Sequence, residues 1–480
     1  MTRPRLGRAY LLSLARWGQR LCNRDFLSFR RLLCAVVGGG VLFVAIPSAA
    51  PGHSRWSGGF SSAFPKVDWN ARHFSERVLY AFPYPSLGEF PLGPVVEDAE
   101  ESLYGTTSSG GSATCNNDCG LVFKLTNGPS GYAEVVLHDF EGVPDGLGPV
   151  GTLILDNGGA VYGATAGGGT VEQNFPGGAG TIYKLAPFGS GYSVEILHAF
   201  KYGRDGARPQ AGLIADATGA LYGTTLYGGD PGCTERCGTV FKLSPAGSGY
   251  KEAVIHRFKA DGIDGVWPLS NLIIDSRGNL FGSTIYGGDG PHSACGSGCG
   301  TVYELVPTSH GYVERVIYSF QGGADGKEPL ASLALDRRGD LFGAASSGGS
   351  NSKACDPLCG TVFRLSPSGS TYRFTLLYQF LGGSDGSYPV AGLLIGGGGT
   401  LFGTTARGGN GCFGNQCGTV FELVKSGSTY RERLVHVFTG EPDGAEPETS
   451  LTTSTRGNLI GTTYGGGSLS WGGTVFSVRD

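Results

Sequence analysis

Leu221-Tyr-Gly-Thr-Thr225, followed by Gly238-Thr-Val-Phe-Lys-Leu243, is the stretch that decides the fold, because variants of both segments recur along the chain. The first has its Gly at 105, 163, 223, 282, 343 and 403, with a looser copy at Gly461, a period of about 60 residues. The second begins at Gly120, Gly180, Gly238, Gly300, Gly360, Gly418 and Gly473. A third runs from Glu76 to Phe82 and returns to reach Phe140, Phe200, Phe258, Phe320, Phe380 and Phe438. A fourth is an apolar run before a turn, as in Gly212-Leu-Ile-Ala-Asp216. Each is short, rich in β-branched and aromatic residues, and bounded by Gly, Ser, Asp or Pro, which reads as a strand. One repeat is therefore four strands: a (Gly-Leu-Ile), b (Leu-Tyr-Gly-Thr), c (Gly-Thr-Val-Phe) and d (ending in Phe).

Short links between consecutive strands make each repeat an antiparallel meander, and radial repetition of such units describes a propeller. Composition agrees: Gly is 86 of 480 residues and only 16% are charged, which suits all-β structure with many turns. The expectation is an all-β, seven-bladed β-propeller of four-stranded antiparallel blades over residues 76–480. A d strand at 76–82 precedes the first a strand, and the seventh repeat stops after c. The N-terminal outer strand should pair with the C-terminal three and so tie the ring without a bare edge.

Residues 1–50 differ from the rest. They hold eight Arg, one Asp and no Lys, then the apolar run Leu32 to Ile46 and Pro47-Ser48-Ala49-Ala50. That order is expected of a secretory signal peptide or a retained signal anchor, with 51–75 as a linker. Without the first 50 residues, 28 basic and 39 acidic residues remain, a net charge of −11. Such a surface repels phosphate backbones, so nucleic acid is not the expected partner. A membrane becomes one only if the leader is uncleaved.

Ten of the twelve Cys fall into five close pairs, Cys115/Cys119, Cys233/Cys237, Cys295/Cys299, Cys355/Cys359 and Cys412/Cys417, each just before strand c. In an exported chain this reads as five local disulfides. Zinc needs four ligands at other spacings.

Candidate site residues must be separated from those that folding requires. The Asp before the a–b turn (Asp98, Asp156, Asp216, Asp275 and Asp336) reads as a turn cap. The strand-d His (His138, His198, His256 and His436) alternates with Tyr80, Tyr318 and Tyr378, as packing allows and metal coordination does not. The d–a link carries Asp-Gly-x-x-Pro six times, at Asp145, Asp205, Asp264, Asp325, Asp385 and Asp443. This is either a capped turn or a ring of carboxylates able to hold calcium. No other cofactor is expected. The residue before that Pro varies between copies: Phe90, Gly148, Arg208, Trp267, Glu328, Tyr388 and Glu446.

The meander puts the d–a links and the long b–c loops on one face. That face should carry an exposed rim in which Arg208, Trp267, Glu328, Tyr388 and Glu446 bind ligand, with Tyr227, Tyr286, His292, Phe413 and Trp471 nearby. Exposed aromatics beside charged groups suit a saccharide or peptide; an ordinary variable surface is the plainer reading.

The motifs quoted above, with Asp205-Gly-x-x-Pro209 leading into Ala211-Gly-Leu-Ile-Ala-Asp216, resemble the GloVer (Gloeo_Verruco) tandem repeat over roughly residues 75–480. The resemblance implies an exported bacterial protein of the choice-of-anchor type. It supplies no catalytic residues, and this chain ends on a strand without a sorting tail. The functional expectation is an extracellular, cell-surface or periplasmic binding or scaffold module. The alternative is an extracellular enzyme acting on glycans, with Glu328, Asp325 and Glu446 at the channel mouth.

Overall fold

The computed structural model describes residues 74–479, apart from 84–87, 112–114, 116–117, 172–175, 234–236, 292–294, 350–358, 413–416, 428 and 468–470. The leader, nearly all of the linker, Cys355, His292 and Phe413 lie outside the described residues. Those described form seven four-stranded antiparallel sheets arranged as a seven-bladed β-propeller. Among them no helix is long and apolar enough to cross a membrane.

The third blade shows the pattern. Its strands are Ile214–Ala215 (a), Leu221–Thr225 (b), Thr239–Ala246 (c) and Gly249–Arg257 (d). Strand b is buried along its whole length in every blade, because its two faces pack against two neighbouring blades. Gly223 lets strand c lie close: a Cβ there would stand 2.6 Å from the ring tip of Phe241.

Contact between blades is aromatic and repeats at all seven junctions. The Phe ending strand d meets the strand-c aromatic of the next blade, as in Phe200 on Phe241 (5.2 Å) and Phe258 on Tyr303 (5.0 Å). A second contact sets the Pro of each d–a link on the Gly opening the previous strand c: a Cβ on Gly238 would lie 2.6 Å from Pro268 Cδ.

The ring closes as the sequence predicts. Ser75–Ala81 pairs antiparallel with Thr474–Arg479, from Ser75↔Arg479 to Ala81↔Thr474, with one register shift between Val78 and Tyr80. Leu459–Thr463 and Thr452–Thr453 complete that sheet. Phe438 meets Phe476 at 5.0 Å and Phe82 meets Phe123 at 5.1 Å, so the aromatic sequence is unbroken across the closure.

Strand a is shorter than its apolar run suggests, two residues in six of the seven blades. The residues ahead of it bond across the axis instead. Asn271 accepts the Gly212 N–H (2.6 Å), donates its Nδ2 to Thr152 Oγ1 (2.8 Å), and gives its backbone N–H to Ser332 Oγ (2.9 Å). Ser450 Oγ accepts the Gly392 N–H (2.8 Å). These buried contacts tie the second to fifth blades to one another and the sixth blade to the seventh.

Candidate functional site at the channel mouth

The link residue before Pro is held at both ends. Its N–H donates to the previous blade and its C=O accepts from its own b–c loop: Arg208 bonds Ala179 O (2.7 Å) and Leu226 N (3.1 Å), and Glu446 bonds Cys417 O (2.9 Å) and Tyr464 N (3.0 Å). Trp267, Glu328 and Tyr388 likewise donate to the carbonyls of Cys237, Cys299 and Cys359. The second cysteine of a staple thus positions a mouth residue of the following blade. Tied in this way, all seven link residues adopt φ between +57° and +64°. A side chain in this left-handed region costs about 1–2 kcal/mol. Gly148 avoids that cost, whereas the other six copies incur it.

These residues and the b–c loops form a connected layer. Arg208 lies over the Tyr227 ring (5.9 Å), Tyr227 meets Trp267 (6.3 Å), and Trp267 meets Tyr286 (5.4 Å). Arg407 covers Tyr388 (5.1 Å), and Ser347 Oγ donates to Glu328 Oε2 (3.1 Å). Phe90 stacks on Tyr464 at 4.8 Å. Burial raises the Tyr388 hydroxyl well above the usual tyrosine range, with Arg407 opposing and Glu328, Glu448 and Tyr286 adding to the rise. The five expected binding residues therefore share one layer, but not as an exposed aromatic rim. Trp267 and Tyr388 are only 5% and 6% exposed, packed under their neighbours, while Arg208, Glu328 and Glu446 are half-buried. Among the described residues of this face, Trp471 is an exposed aromatic, 52% exposed.

Glu448 was not singled out from the sequence. The position after the Pro reads Leu92, Val150, Gln210, Leu269, Leu330, Val390 and Glu448, an apolar column with one amide and one carboxyl. Glu448 is fully buried, and neither carboxyl oxygen makes a hydrogen bond. Burial, then Glu446, holds its pKa well above the carboxylate range, against the pull of Arg407. Comparing that column across repeats exposes the residue, whereas inspecting any single repeat does not.

The remaining candidates are structural. Asp216 Oδ1 accepts the N–H groups of Thr218 and Ala220, and Asp98, Asp156, Asp275 and Asp336 do the same in their turns. The link Asp and the strand-d residue, two separate rows in the sequence, are partners: His138–Asp145 (3.0 Å), His436–Asp443 (2.9 Å), Tyr318–Asp325 (3.0 Å) and Tyr378–Asp385 (2.8 Å). Each such Asp also accepts a backbone N–H of its own loop, as Asp205 does from Lys201. These carboxylates cap their turns, the first of the two readings given for this link, and face the outer strand, which takes Asp325 away from the mouth. Among the described residues four disulfides form, Cys115–Cys119, Cys233–Cys237, Cys295–Cys299 and Cys412–Cys417, with Cα separations of 5.5, 6.0, 5.1 and 5.9 Å. They fit an oxidising environment.

Solved structures are similar to the chain at low identity. A Bacteroides uniformis protein provisionally assigned as a 6-phosphogluconolactonase is 11% identical, with a TM-score of 0.46, covering 77% of this chain and 88% of its own. A fungal alcohol oxidase of the AA5 family, in complex with copper, is 11% identical with a TM-score of 0.49, covering 84% of this chain and 76% of its own. A Lactobacillus plantarum protein is 13% identical with a TM-score of 0.41, covering 71% and 84%. At such identities no activity carries over. No curated protein matches the sequence. The repeat itself is matched over residues 64–294, 169–409 and 292–480, and the chain belongs to the Gloeobacter/Verrucomicrobia repeat family.

Proposed function

We propose that this chain is an exported binding module that takes a saccharide or peptide at the channel mouth, on the face bearing the d–a links and b–c loops. The observation that carries this reading is Glu448. A fully buried carboxyl without a hydrogen bond is costly to folding, and five other blades have an apolar residue at its position. Above it, Arg208, Glu328 and Glu446 hold strained backbone conformations that Gly would adopt without cost. Export is supported by the basic, apolar, small-residue order of the leader and by the disulfides.

A second reading, an extracellular enzyme acting on glycans, is favoured by Glu446 beside Glu448. A carboxylate next to one kept protonated suits general acid–base chemistry. Glu448 is closed off from solvent, so binding comes first. The test is a glycan and peptide array probed with the full chain and with Arg208→Ala, Glu328→Ala and Glu446→Ala. Capture lost in these variants without product release supports binding. Turnover abolished by Glu446→Gln supports the enzyme. A chain that captures nothing, or variants that all bind as wild type, would refute the mouth as the site.

A further inference from the structure

Where blades 3 and 4 meet, the link carboxylate that caps its own turn is joined by two further side chains, one from each blade. His256 comes from strand d of blade 3, Asp264 from the link that follows, and Glu314 from the outer strand of blade 4, Gly311–Ser319. One ligand atom from each lies within 4.8 Å of the other two, and among the described residues no other trio of His, Cys, Asp or Glu comes so close. His256 Nε2 is 3.4 Å from Asp264 Oδ2. Asp264 is held by the backbone N–H groups of Lys259 (3.0 Å) and Gly265 (2.7 Å), and the His256 ring stands edge-on to Phe258 at 4.6 Å. His256 Nε2 and Glu314 Oε1 are both buried and make no hydrogen bond.

The His and Glu are not fixed by the repeat: Tyr318 and Tyr378 stand in the His position, and Val194 and Phe374 in the Glu position, with Tyr318 stacked on Phe374 at 4.5 Å. His198, Asp205 and Glu252, and His436, Asp443 and Glu76, repeat the three residue types at two other junctions, but only at this one do the ligand atoms come within 4.8 Å among the described residues. Two carboxyls crowded together in a partly dry place favour a cation between them.

We propose that His256, Asp264 and Glu314 bind a divalent transition ion of the zinc type. One imidazole with two carboxylates suits zinc, whereas a hard cation such as calcium prefers oxygen alone. Zinc–ligand bonds of about 2.0–2.1 Å in a tetrahedron put ligand atoms roughly 3.4 Å apart. The His256–Asp264 pair already has that spacing, and Glu314 completes the set by closing about 1 Å through side-chain rotation. Three protein ligands leave a fourth position for water.

The test is calorimetric titration of zinc into the metal-free full chain at pH 7.5. His256→Tyr and Glu314→Val serve as variants, since the repeat itself uses both residues at those positions. The wild type should bind one equivalent that each variant weakens at least about 100-fold, more than loss of a second-sphere contact costs. Circular dichroism should be unchanged, and uptake should vanish at pH 5 as the ligands protonate. Should a variant fail to fold, Glu314→Gln gives the same readout. A wild type that takes up no zinc, or a folded variant that keeps wild-type affinity and stoichiometry, overturns the proposal.

Discussion

Truncating Phe82 to Ala measures how firmly the ring is tied. Phe82 follows the first outer strand and is 1% exposed, with its N–H on Gly473 O (3.0 Å) and its ring 5.1 Å from both Tyr80 and Phe123. Emptying such a site costs about 3–5 kcal/mol, of which ring–ring contact supplies roughly 0.5–1.5. With an unfolding entropy near 2.1 cal/mol/K per residue over roughly 400 ordered residues, the melting midpoint should fall about 4–6 °C. Phe258→Ala is the comparison: Phe258 is fully buried and lies 5.0 Å from Tyr303 in the same position of the third blade. In a closed ring the two junctions are equivalent, so both variants should lose the same stability in thermal and urea unfolding. If Phe82→Ala melts within about 1 °C of wild type while Phe258→Ala drops as calculated, the first outer strand does not secure the closure and the reasoning fails.

Three further outcomes follow from the packing and the titrating groups. Burial raises the carboxyls of Glu76, Glu314 and Glu432 from 4.5 to about 7, so the folded chain holds more protons than the unfolded one across that window. The stability of the metal-free protein should fall as pH rises from about 4.5 to about 7; melts at pH 5 and 8 check this, and replacing all three by Gln should flatten the difference. Glu448→Val, which copies Val390, removes an unpaired buried carboxyl and should stabilise the chain by about 1–3 kcal/mol in urea titrations at pH 7.5 while abolishing capture on the array. Gly223→Ala drives a methyl group into the Phe241 ring and should cost about 1–3 kcal/mol in the same assay.

The blade pattern was legible because each repeated residue meets the same hard constraint seven times. Gly223 must clear Phe241, and Phe258 must fill the next blade, so period and strand identity survive in plain view. The position of the mouth was legible for a related reason: meander connectivity alone puts links and loops at one end. Exposure was not. Trp267 and Tyr388 vary between copies as surface residues do, yet the left-handed turn folds them beneath Tyr227, Tyr286 and Arg407. Nor was the pairing of His436 with Asp443, seven residues apart, because the link must fold back before they meet. Glu314 approaches Asp264 only across two blades, a contact that no local spacing encodes.

The paired closure has a consequence for the order of events. Ser75 and Arg479 are register partners, and the Arg479 Nε donates to Ser75 Oγ at 3.3 Å. The seventh blade cannot be completed until Thr474–Arg479 has been synthesised, so the chain stays an open arc throughout elongation. Joining those two points with a short linker and cutting at any d–a link should yield a circular permutant with the same contacts and a different last blade.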